Sequence, residues 1–242
     1  MNRTPIPWVQ NPDGSQGYTW NPITGCSPAS EGCTRCYAAA MAKRLQAMGA
    51  PGYENGFAVT FHPDRLDQPM KVKKPSRIFV CSMGDIANTD SIGEMPFEHI
   101  LQVIQRTPRH TFLLLTKRIQ RFKLLLMARD LPANVWLGVT AENQARWNER
   151  VPILMKIPAA VRFVSVEPLL EPVNILSAAA KGAGLPSWII CGKETGPHKR
   201  PFDLAWAKVL YEQCKANNIP FFWKGDGGEL PREWPDRKEQ PK

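Results

Sequence analysis

The chain has 242 residues, of which 43% are hydrophobic and 22% are charged, so it is long enough to bury a sizeable core. Its formal net charge of +9 favours an anionic partner, although the basic residues are spread along the sequence. The sequence contains neither an apolar run long enough to cross a membrane nor an apolar signal segment. We therefore expect a cytoplasmic protein without a membrane partner, and six cysteines in such a protein favour metal or redox chemistry over disulfides.

Short apolar runs alternate with amphipathic stretches, a pattern that is typical of parallel strands joined by helices. The predicted strands cover residues 17–21, 77–82, 111–116, 135–139, 161–165, 188–191 and 220–224. The predicted helices cover residues 38–45, 97–106, 119–127, 143–155 (shorter if Pro152 ends it) and 203–217. This repeat predicts an α/β protein with a partial or complete TIM-like (βα)6–7 barrel of parallel strands. A doubly wound open sheet is the alternative, because the sequence does not give the order of the strands.

The repeat predicts one barrel domain over residues 1–224. Residues 49–75 fit the repeat poorly, so we interpret them as an insertion on the first connection. Residues 225–242 are rich in glycine, proline and charge, and they predict a loosely ordered C-terminal tail.

Three of the cysteines, Cys26, Cys33 and Cys36, lie close together after the first predicted strand, with the spacing C-x6-C-x2-C. Three thiolates on one loop can hold a soft metal centre. Structural zinc usually takes four protein ligands, whereas three ligands leave one position open for chemistry. The hypothesis is a [4Fe–4S] cluster with one iron free for a small molecule. The alternative is a zinc site in a nucleic-acid-binding module, which would need a distant fourth ligand.

Polar side chains follow each of the later predicted strands. The carboxyl ends of parallel strands in α/β folds face one side, where ligands bind, so we expect these side chains and the three cysteines to share one rim. The rim residues are Ser82, Gly84, Asp85, Lys117, Arg118, Thr140, Glu142, Asn143, Ser165, Glu167, Cys191, Lys193, Glu194 and Lys224.

Several of these residues also have a purely structural interpretation. Thr140 and Asn143 are residue types that cap helices, and Glu142 suits the first turn of a helix, where the dipole favours a carboxylate. Lys117 and Arg118 could instead be exposed loop charges. Each of these alternatives stays open at this point.

The remaining candidates differ in how strongly the sequence supports them. Cys81 and Cys191 are of a type that is more often a small buried hydrophobe than a reactive thiol. Glu167 is the strongest single candidate for the site, because it follows a buried apolar run and Pro168 fixes the backbone behind it.

The cysteine loop within a repeated βα chain resembles the radical S-adenosylmethionine (SAM) superfamily. Most members have the spacing C-x3-C-x2-C with an aromatic residue before the last cysteine, whereas here the first gap is six residues and Arg35 takes the aromatic position. A longer loop adds little entropic cost. A closer resemblance, over residues 18–224, is to a family of phage and bacterial three-cysteine proteins described as radical-SAM-like.

That closer resemblance rests on motifs along most of the chain. Where we expect Gly-Gly-Glu-Ser-Gly after the sixth strand, this sequence has Cys-Gly-Lys-Glu-Thr-Gly at 191–196, which changes the chemistry of the rim. The matching motifs are Thr-Trp-Asn-Pro-Ile-Thr-Gly-Cys at 19–26, Gly-Cys-Thr-Arg-Cys-Tyr-Ala at 32–38, Phe-Val-Cys-Ser-Met-Gly-Asp at 79–85, Leu-Thr-Lys-Arg at 115–118, Asn-Val-Trp-Leu-Gly-Val at 134–139, Glu-Asn at 142–143, Glu-Pro-Leu-Leu at 167–170 and Pro-Phe-Phe at 220–222.

The resemblance implies that Cys26, Cys33 and Cys36 hold a [4Fe–4S] cluster whose fourth iron binds SAM. An electron from a donor such as flavodoxin or ferredoxin would then cleave SAM to methionine and a 5′-deoxyadenosyl radical. The radical would abstract hydrogen from a substrate, which the basic charge and the phage relatives suggest is a nucleotide or nucleic acid undergoing modification or repair. The cofactor would carry the difficult chemistry, and the protein would position it.

The resemblance also implies roles for the rim residues. Ser82, Gly84 and Asp85 match the loop that receives the SAM amino group, and Thr140, Glu142 and Asn143 are candidates for its ribose and carboxylate. Lys117 and Arg118 would pair with the SAM carboxylate or a substrate phosphate. Glu167, Glu194 and Lys224 would face the substrate, and Cys81 or Cys191 would return a hydrogen atom. Catalytic roles are thus expected for Glu167, Lys117 and Cys191.

Overall fold

The structure, a computed structural model, describes residues 1–126, 129–179, 182–195, 198–226 and 228–236. The described helices are α1 Tyr37–Ala47, α2 Met95–Arg106, α3 Ile119–Leu125, α4 Gln144–Leu154, α5 Leu176–Ala179 and α6 Leu204–Ala216. The described strands are β1 Asn2–Arg3, β2 Tyr18–Trp20, β3 Ile23–Thr24, β4 Thr60–Phe61, β5 Arg77–Val80, β6 Thr111–Thr116, β7 Val135–Thr140, β8 Val161–Val166, β9 Trp188–Cys191 and β10 Phe221–Trp223.

Eight of the strands form one sheet in the order β1-β2-β5-β6-β7-β8-β9-β10. The β1 strand runs antiparallel to β2, and every other pairing in this sheet is parallel. The parallel strands follow one another in chain order, whereas a doubly wound sheet would reverse its order at a switch point. The predicted α/β fold with a TIM-like partial barrel is therefore confirmed. In the described ranges the end strands β1 and β10 do not pair, so the barrel stays open between them.

Two hydrophobic cores lie on opposite faces of the sheet, because successive strand residues point to opposite sides. The helices cover the outer core. In α2, for example, Phe97, Ile100, Leu101 and Ile104 form the buried stripe that the sequence period predicts. The inner core fills the barrel with Trp8, Val9, Phe79, Leu113, Trp136, Phe163, Trp188, Ile190 and Phe222. No helix among the residues that the structure describes combines the length and the apolarity that a membrane span needs.

The segment predicted as an insertion, residues 49–75, contains the short strand β4. This strand pairs antiparallel with β3, where Ile23 lies opposite Phe61 and Thr24 lies opposite Thr60. The segment therefore packs against the connection that leads from β2 into the cysteine loop. In α4, Pro152 lies inside the helix and does not end it.

Part of the segment predicted as a C-terminal tail is described by the structure, residues 225–226 and 228–236, and it contacts the strands. Arg232 forms an antiparallel bridge with Phe222 of β10, and the Trp188 indole donates to the Glu233 carbonyl at 2.9 Å. The Trp234 ring packs on Phe222, with ring centroids 4.9 Å apart. Aromatic side chains in this segment reach the barrel interior, which composition alone does not reveal. Residues 227 and 237–242 lie outside the described residues, and the division into domain and tail remains a prediction.

Candidate functional site

A cavity of about 410 Å³ lies where the carboxyl ends of the parallel strands meet the cysteine loop. Its apolar wall includes Ile6, Trp8, Phe79 and Leu115, and the indole N–H of buried Trp8 has no hydrogen-bond partner among the described residues. The predicted rim residues and cysteines that line the cavity are Cys26, Cys33, Cys36, Ser82, Gly84, Asp85, Lys117, Thr140, Ser165, Glu167, Lys193, Glu194 and Lys224.

The turn into the first cysteine is fixed by Gly25. Its φ of +81° suits glycine, and an added Cβ would lie 2.1 Å from the Ala58 carbonyl oxygen. The Gly25 amide donates to the Met83 carbonyl at 2.8 Å, and Gly25 forms a parallel bridge with Gly84. The loop after β5 therefore extends the sheet pairing up to Cys26, which places the two predicted parts of the site side by side.

The three cysteines of this loop are free thiols, each partly exposed. The Cys26 sulfur accepts a hydrogen bond from Asn88 Nδ2 at 3.5 Å, and the Cys33 sulfur accepts one from the Ala29 amide at 3.4 Å. Burial, together with the charge of Asp85, raises the pKa of Cys26 to about 11. Burial also raises the pKa of Cys33, but the Ala29 amide and the charge of Lys117 outweigh it, so the net pKa lies below its ordinary value.

The donor set of this loop fits an iron–sulfur cluster. Among the described residues, no group of three His, Cys, Asp or Glu side chains is arranged around a position for a single metal ion. A zinc ion needs its ligands to converge on one point. The cysteines of an iron–sulfur cluster instead ligate different irons around one cluster, and three partly exposed thiols from one loop on one cavity wall are the residue type and placement that such a cluster uses.

Asp85 joins the ends of β5 and β6. One carboxylate oxygen accepts from the Thr116 hydroxyl at 2.7 Å and the Ala87 amide at 3.0 Å, and the other accepts from the Lys117 amide at 2.9 Å. These donors occupy most of the lone pairs of the carboxylate. Asp85 therefore holds the wall from Ser82 to Asp85 in place, and few of its lone pairs remain for the SAM amino group.

Glu142 does not line the cavity, in contrast to its predicted role in binding SAM. Its side chain is fully buried after β7 and accepts from Lys117 Nζ, from the Ser30 hydroxyl and, at 3.0 Å, from Arg150. Burial raises the pKa of this carboxyl, but the charges of Lys117 and Arg150 outweigh it. The net pKa is below the ordinary value, so the group is ionised at neutral pH.

Two further residues with a predicted cofactor role do not line the cavity either. Arg118 donates to the backbone oxygen and the hydroxyl of Ser27, at 2.8 Å and 2.7 Å, and so holds the cysteine loop. The side chain of Asn143 caps α4 by accepting from the Arg146 amide at 2.9 Å. The helix-cap alternative thus describes Asn143, because a polar residue between a strand and a helix satisfies the orphan amides of the first turn.

Cys191 is fully buried at the end of β9 and is not part of the cavity wall. Burial is the main reason why its pKa is raised well above the ordinary value. Cys81 lies on the wall instead, with a φ of 57°, and burial raises its pKa to about 12. Of the two cysteines considered as hydrogen donors, Cys81 is thus the one that lines the cavity.

The part of the cavity wall after β8, β9 and β10 carries ion pairs. Lys224, after β10, pairs with Glu167, after β8. Glu194, after β9, accepts from Arg200 and also lies 3.4 Å from Arg35 of the cysteine loop. Hydrogen bonds from Arg200 lower the pKa of Glu194 and keep it ionised. Each carboxylate here has a basic partner, so the wall offers cations that a ligand anion could share.

Several residues of the site carried no clear signal in the sequence. Ile6, Trp8 and Phe57 line the cavity from segments that precede or interrupt the repeat. Arg150 was also missed, although its place on the buried face of α4, between Trp147 and Leu154, could have revealed a buried ion pair.

Solved structures of spore photoproduct lyase share this fold. The complex with dinucleoside spore photoproduct has a TM-score of 0.53 and 14% identity, and the match covers 85% of this chain and 62% of that chain. A cysteine-to-alanine mutant has a TM-score of 0.57 and 13% identity, and the match covers 89% of this chain and 78% of that chain. A double mutant with bound AdoMet and dinucleoside spore photoproduct has a TM-score of 0.51 and 14% identity, and the match covers 85% of this chain and 62% of that chain.

This chain thus spans about 62% of the length of the lyase in its dinucleoside complex, and the likeness at this identity is one of fold. No curated protein matches the sequence. A family model described as "Protein of unknown function (DUF5131)" matches residues 3–241, and the chain therefore belongs to that family.

Proposed function

We propose that this protein is a radical SAM enzyme that acts on a nucleotide or nucleic acid. The observation that carries the proposal is the placement of three partly exposed cysteines from one loop on the wall of a single barrel cavity. The loop from Ser82 to Asp85 lines the same cavity and is tied to the cysteine loop through Gly25 and Gly84. A cofactor held by both loops would lie at the carboxyl ends of the strands, where barrel enzymes bind their ligands.

The solved structures support the choice of cofactor. One spore photoproduct lyase structure holds AdoMet, which is SAM, together with a dinucleoside photoproduct. The similar fold and the cysteine loop at the mouth of the barrel agree with the resemblance to the radical SAM superfamily. The compound bound in those structures also supports a substrate that contains nucleobases.

The cavity wall supports an anionic substrate with a planar ring. Arg35, Lys193 and Lys224 provide cations on the wall, and the rings of Trp8 and Phe79 provide an apolar surface. Cations that pair with phosphate beside aromatic surface that contacts a base are the usual elements of nucleotide binding. The formal net charge of +9 adds attraction for a polyanion over longer distances.

When bound together, a reduced [4Fe–4S] cluster and SAM would supply a radical that abstracts hydrogen from the substrate, the electron coming from a flavodoxin or ferredoxin. The residues of this chain would hold and shield that chemistry. Cys26, Cys33 and Cys36 would ligate the cluster, Thr140 and Ser82 would offer hydroxyls to SAM, and the apolar wall would exclude water. Glu167 would contact the substrate, and Lys117 would fix the wall through its ion pair. Thiols of this kind persist in a reducing compartment such as the cytoplasm.

Anaerobic reconstitution with iron and sulfide tests this proposal. We expect a brown protein that releases 5′-deoxyadenosine when SAM and dithionite are added, and whose EPR signal changes with SAM. The Cys33→Ala variant should lose the cluster and the product. Cys214→Ala is the matched control, since Cys214 is buried in α6 away from the cavity. A colourless protein with one tightly bound zinc ion and no 5′-deoxyadenosine would overturn the proposal.

A further inference from the structure

The segment between the first two cysteines is tied to the barrel along its length. Six residues, 27–32, separate Cys26 from Cys33. Such a loop places its thiols reproducibly only if other contacts restrict it. Its anchors are Arg118, which donates to Ser27, Arg146, which pairs with Glu31 at 3.0 Å, and Arg200, which donates to the Glu31 carbonyl at 3.1 Å.

The inner anchor of the loop is Glu142. The Ser30 hydroxyl donates to one carboxylate oxygen, Lys117 pairs with the same oxygen, and Arg150 donates to the other at 3.0 Å. The side chains of Glu142 and Arg150 are 0% and 1% exposed, so the carboxylate itself is shielded from water. A hydrogen bond to a shielded, ionised carboxylate is stronger than one at the surface.

Close packing accompanies the hydrogen bonds. A Cβ on Gly32 would lie 2.4 Å from an oxygen and 2.6 Å from Cγ of Glu142, so the backbone one residue before Cys33 rests directly on this side chain. The carboxylate itself is held from two other elements, Lys117 after β6 and Arg150 on α4. Its position is therefore set by the barrel and not by the loop.

We propose that Glu142 is a positioning residue that fixes the cysteine loop from inside, so that the three thiols face the cavity before any ligand binds. This inference rests on the proposed function in one respect, namely that the thiols are cluster ligands. The role differs from direct contact with SAM, because Glu142 is absent from the cavity wall.

Thiol reactivity in the metal-free full-length chain tests the positioning role of Glu142 without requiring a cluster. Alkylation of each cysteine by iodoacetamide is followed by mass spectrometry in wild type, Ser30→Ala, Ser30→Thr and Gly32→Ala. We expect Ser30→Ala and Gly32→Ala to speed alkylation of Cys26 and Cys36 by about tenfold, the size of one lost hydrogen bond to a charged group. Ser30→Thr retains the hydroxyl and should restore the wild-type rates.

Measuring Cys26 and Cys36 separates the positioning role of Glu142 from a direct effect of Ser30 on Cys33. The Ser30 hydroxyl also lies 3.8 Å from the Cys33 sulfur, so faster alkylation of Cys33 alone would reflect that contact. Unchanged rates at Cys26 and Cys36 in both Ser30→Ala and Gly32→Ala would overturn the inference. Thermal unfolding of each variant checks that the barrel remains folded, and Glu212→Gln, an exposed change on α6, serves as the control.

Cluster retention and SAM affinity provide the second test, in the reconstituted protein. We expect Ser30→Ala and Gly32→Ala to lose iron to a chelator about tenfold faster than wild type, with the dissociation constant for SAM unchanged in Ser30→Ala while the cluster remains. Weaker SAM binding with an unchanged rate of iron loss would indicate that this part of the loop contacts SAM, and it would overturn the positioning role of Glu142. If the wild type takes up no iron, the proposed function fails, while the alkylation result still decides the role of Glu142.

Discussion

Lys224 and Glu167 form an ion pair on the cavity wall, although 56 residues lie between them in the chain. The pair joins the ends of β10 and β8 across the end of β9, and both side chains are partly exposed, at 27% and 18%. Both charged groups line the cavity and neither is fully buried, so each is accessible to a ligand. The pair sets the local balance between attraction and repulsion of an anion.

The first prediction follows from that balance. Glu167→Gln leaves the Lys224 ammonium without its carboxylate, so we expect tighter binding of a short single-stranded oligonucleotide. Lys224→Gln leaves the carboxylate unpaired and should weaken binding. Each change should be about two- to tenfold, as for gain or loss of one phosphate contact, and should shrink as salt rises. Fluorescence anisotropy at two salt concentrations measures both effects.

A second lysine–glutamate pair offers the control for this experiment. Lys208 and Glu229 lie 3.2 Å apart, are exposed and are not part of the cavity wall. Lys208→Gln removes the same charge from the chain and should change oligonucleotide affinity less than Lys224→Gln. Equal effects of the two lysine variants would show that binding depends on net charge and not on the cavity.

The second prediction concerns the pH dependence of stability. The pKa of Glu142 is lowered in the folded chain, so its ion pairs stabilise the fold above the ordinary carboxyl pKa, and this stability is lost as pH falls through the folded pKa. Glu142→Gln removes one partner of a buried network and should cost about 3–5 kcal/mol at pH 7. The difference between wild type and variant should shrink toward pH 4 and below.

Urea unfolding at pH 7, 5 and 4 measures this difference. Other carboxyls with lowered pKa values, such as Glu31 and Glu194, titrate in both proteins and therefore cancel in the comparison. A difference in unfolding free energy that stays constant over this range would contradict an ionised, paired Glu142.

The parts of the fold that the sequence predicts well are those decided by local pattern. The predicted strands at 111–116 and 188–191 coincide with β6 and β9, because buried parallel strands are short apolar runs bounded by polar residues. Their polar ends predict the rim, since parallel strands all end on the same side. That reasoning placed the cysteines, Asp85 and Glu167 on one cavity wall.

The parts that the sequence does not predict depend on contacts across the chain. Thr140 ends β7, and Glu142 and Asn143 follow it, yet only Thr140 lines the cavity. Glu142 instead contacts Arg150, eight residues later in the chain, and Ser30, 112 residues earlier. These two contacts hold the Glu142 side chain away from the cavity. Such distant partners leave no local pattern, so the sequence does not reveal the buried ion pairs of Glu142.

The third prediction concerns the relative reactivity of the cysteines. Burial raises the pKa of Cys33, but the Ala29 amide and Lys117 outweigh it and the net pKa is lowered, whereas burial raises the pKa of Cys81 to about 12. Because the thiolate is the reactive form, Cys33 in the metal-free folded chain should react with iodoacetamide at pH 7.5 more than about tenfold faster than Cys81. Mass spectrometry of individual peptides measures both rates. In urea the two rates should become similar, and similar rates in the folded chain would contradict this ranking.

The last prediction concerns the C-terminal segment. Trp234 donates to the Trp8 carbonyl at 3.1 Å and packs on Phe222, which closes the inner core beside the apolar cavity wall. Trp234→Ala removes a large, half-buried ring, so we expect a loss of about 2–3 kcal/mol in unfolding free energy, less than for a fully buried tryptophan. Urea unfolding measures this loss, and Leu124→Ala, which truncates an exposed side chain on α3, should change it by less than about 0.5 kcal/mol. Because Trp8 lines the cavity, Trp234→Ala should also weaken SAM binding to the reconstituted protein. A Trp234→Ala variant as stable as Leu124→Ala would show that the C-terminal segment does not stabilise the inner core.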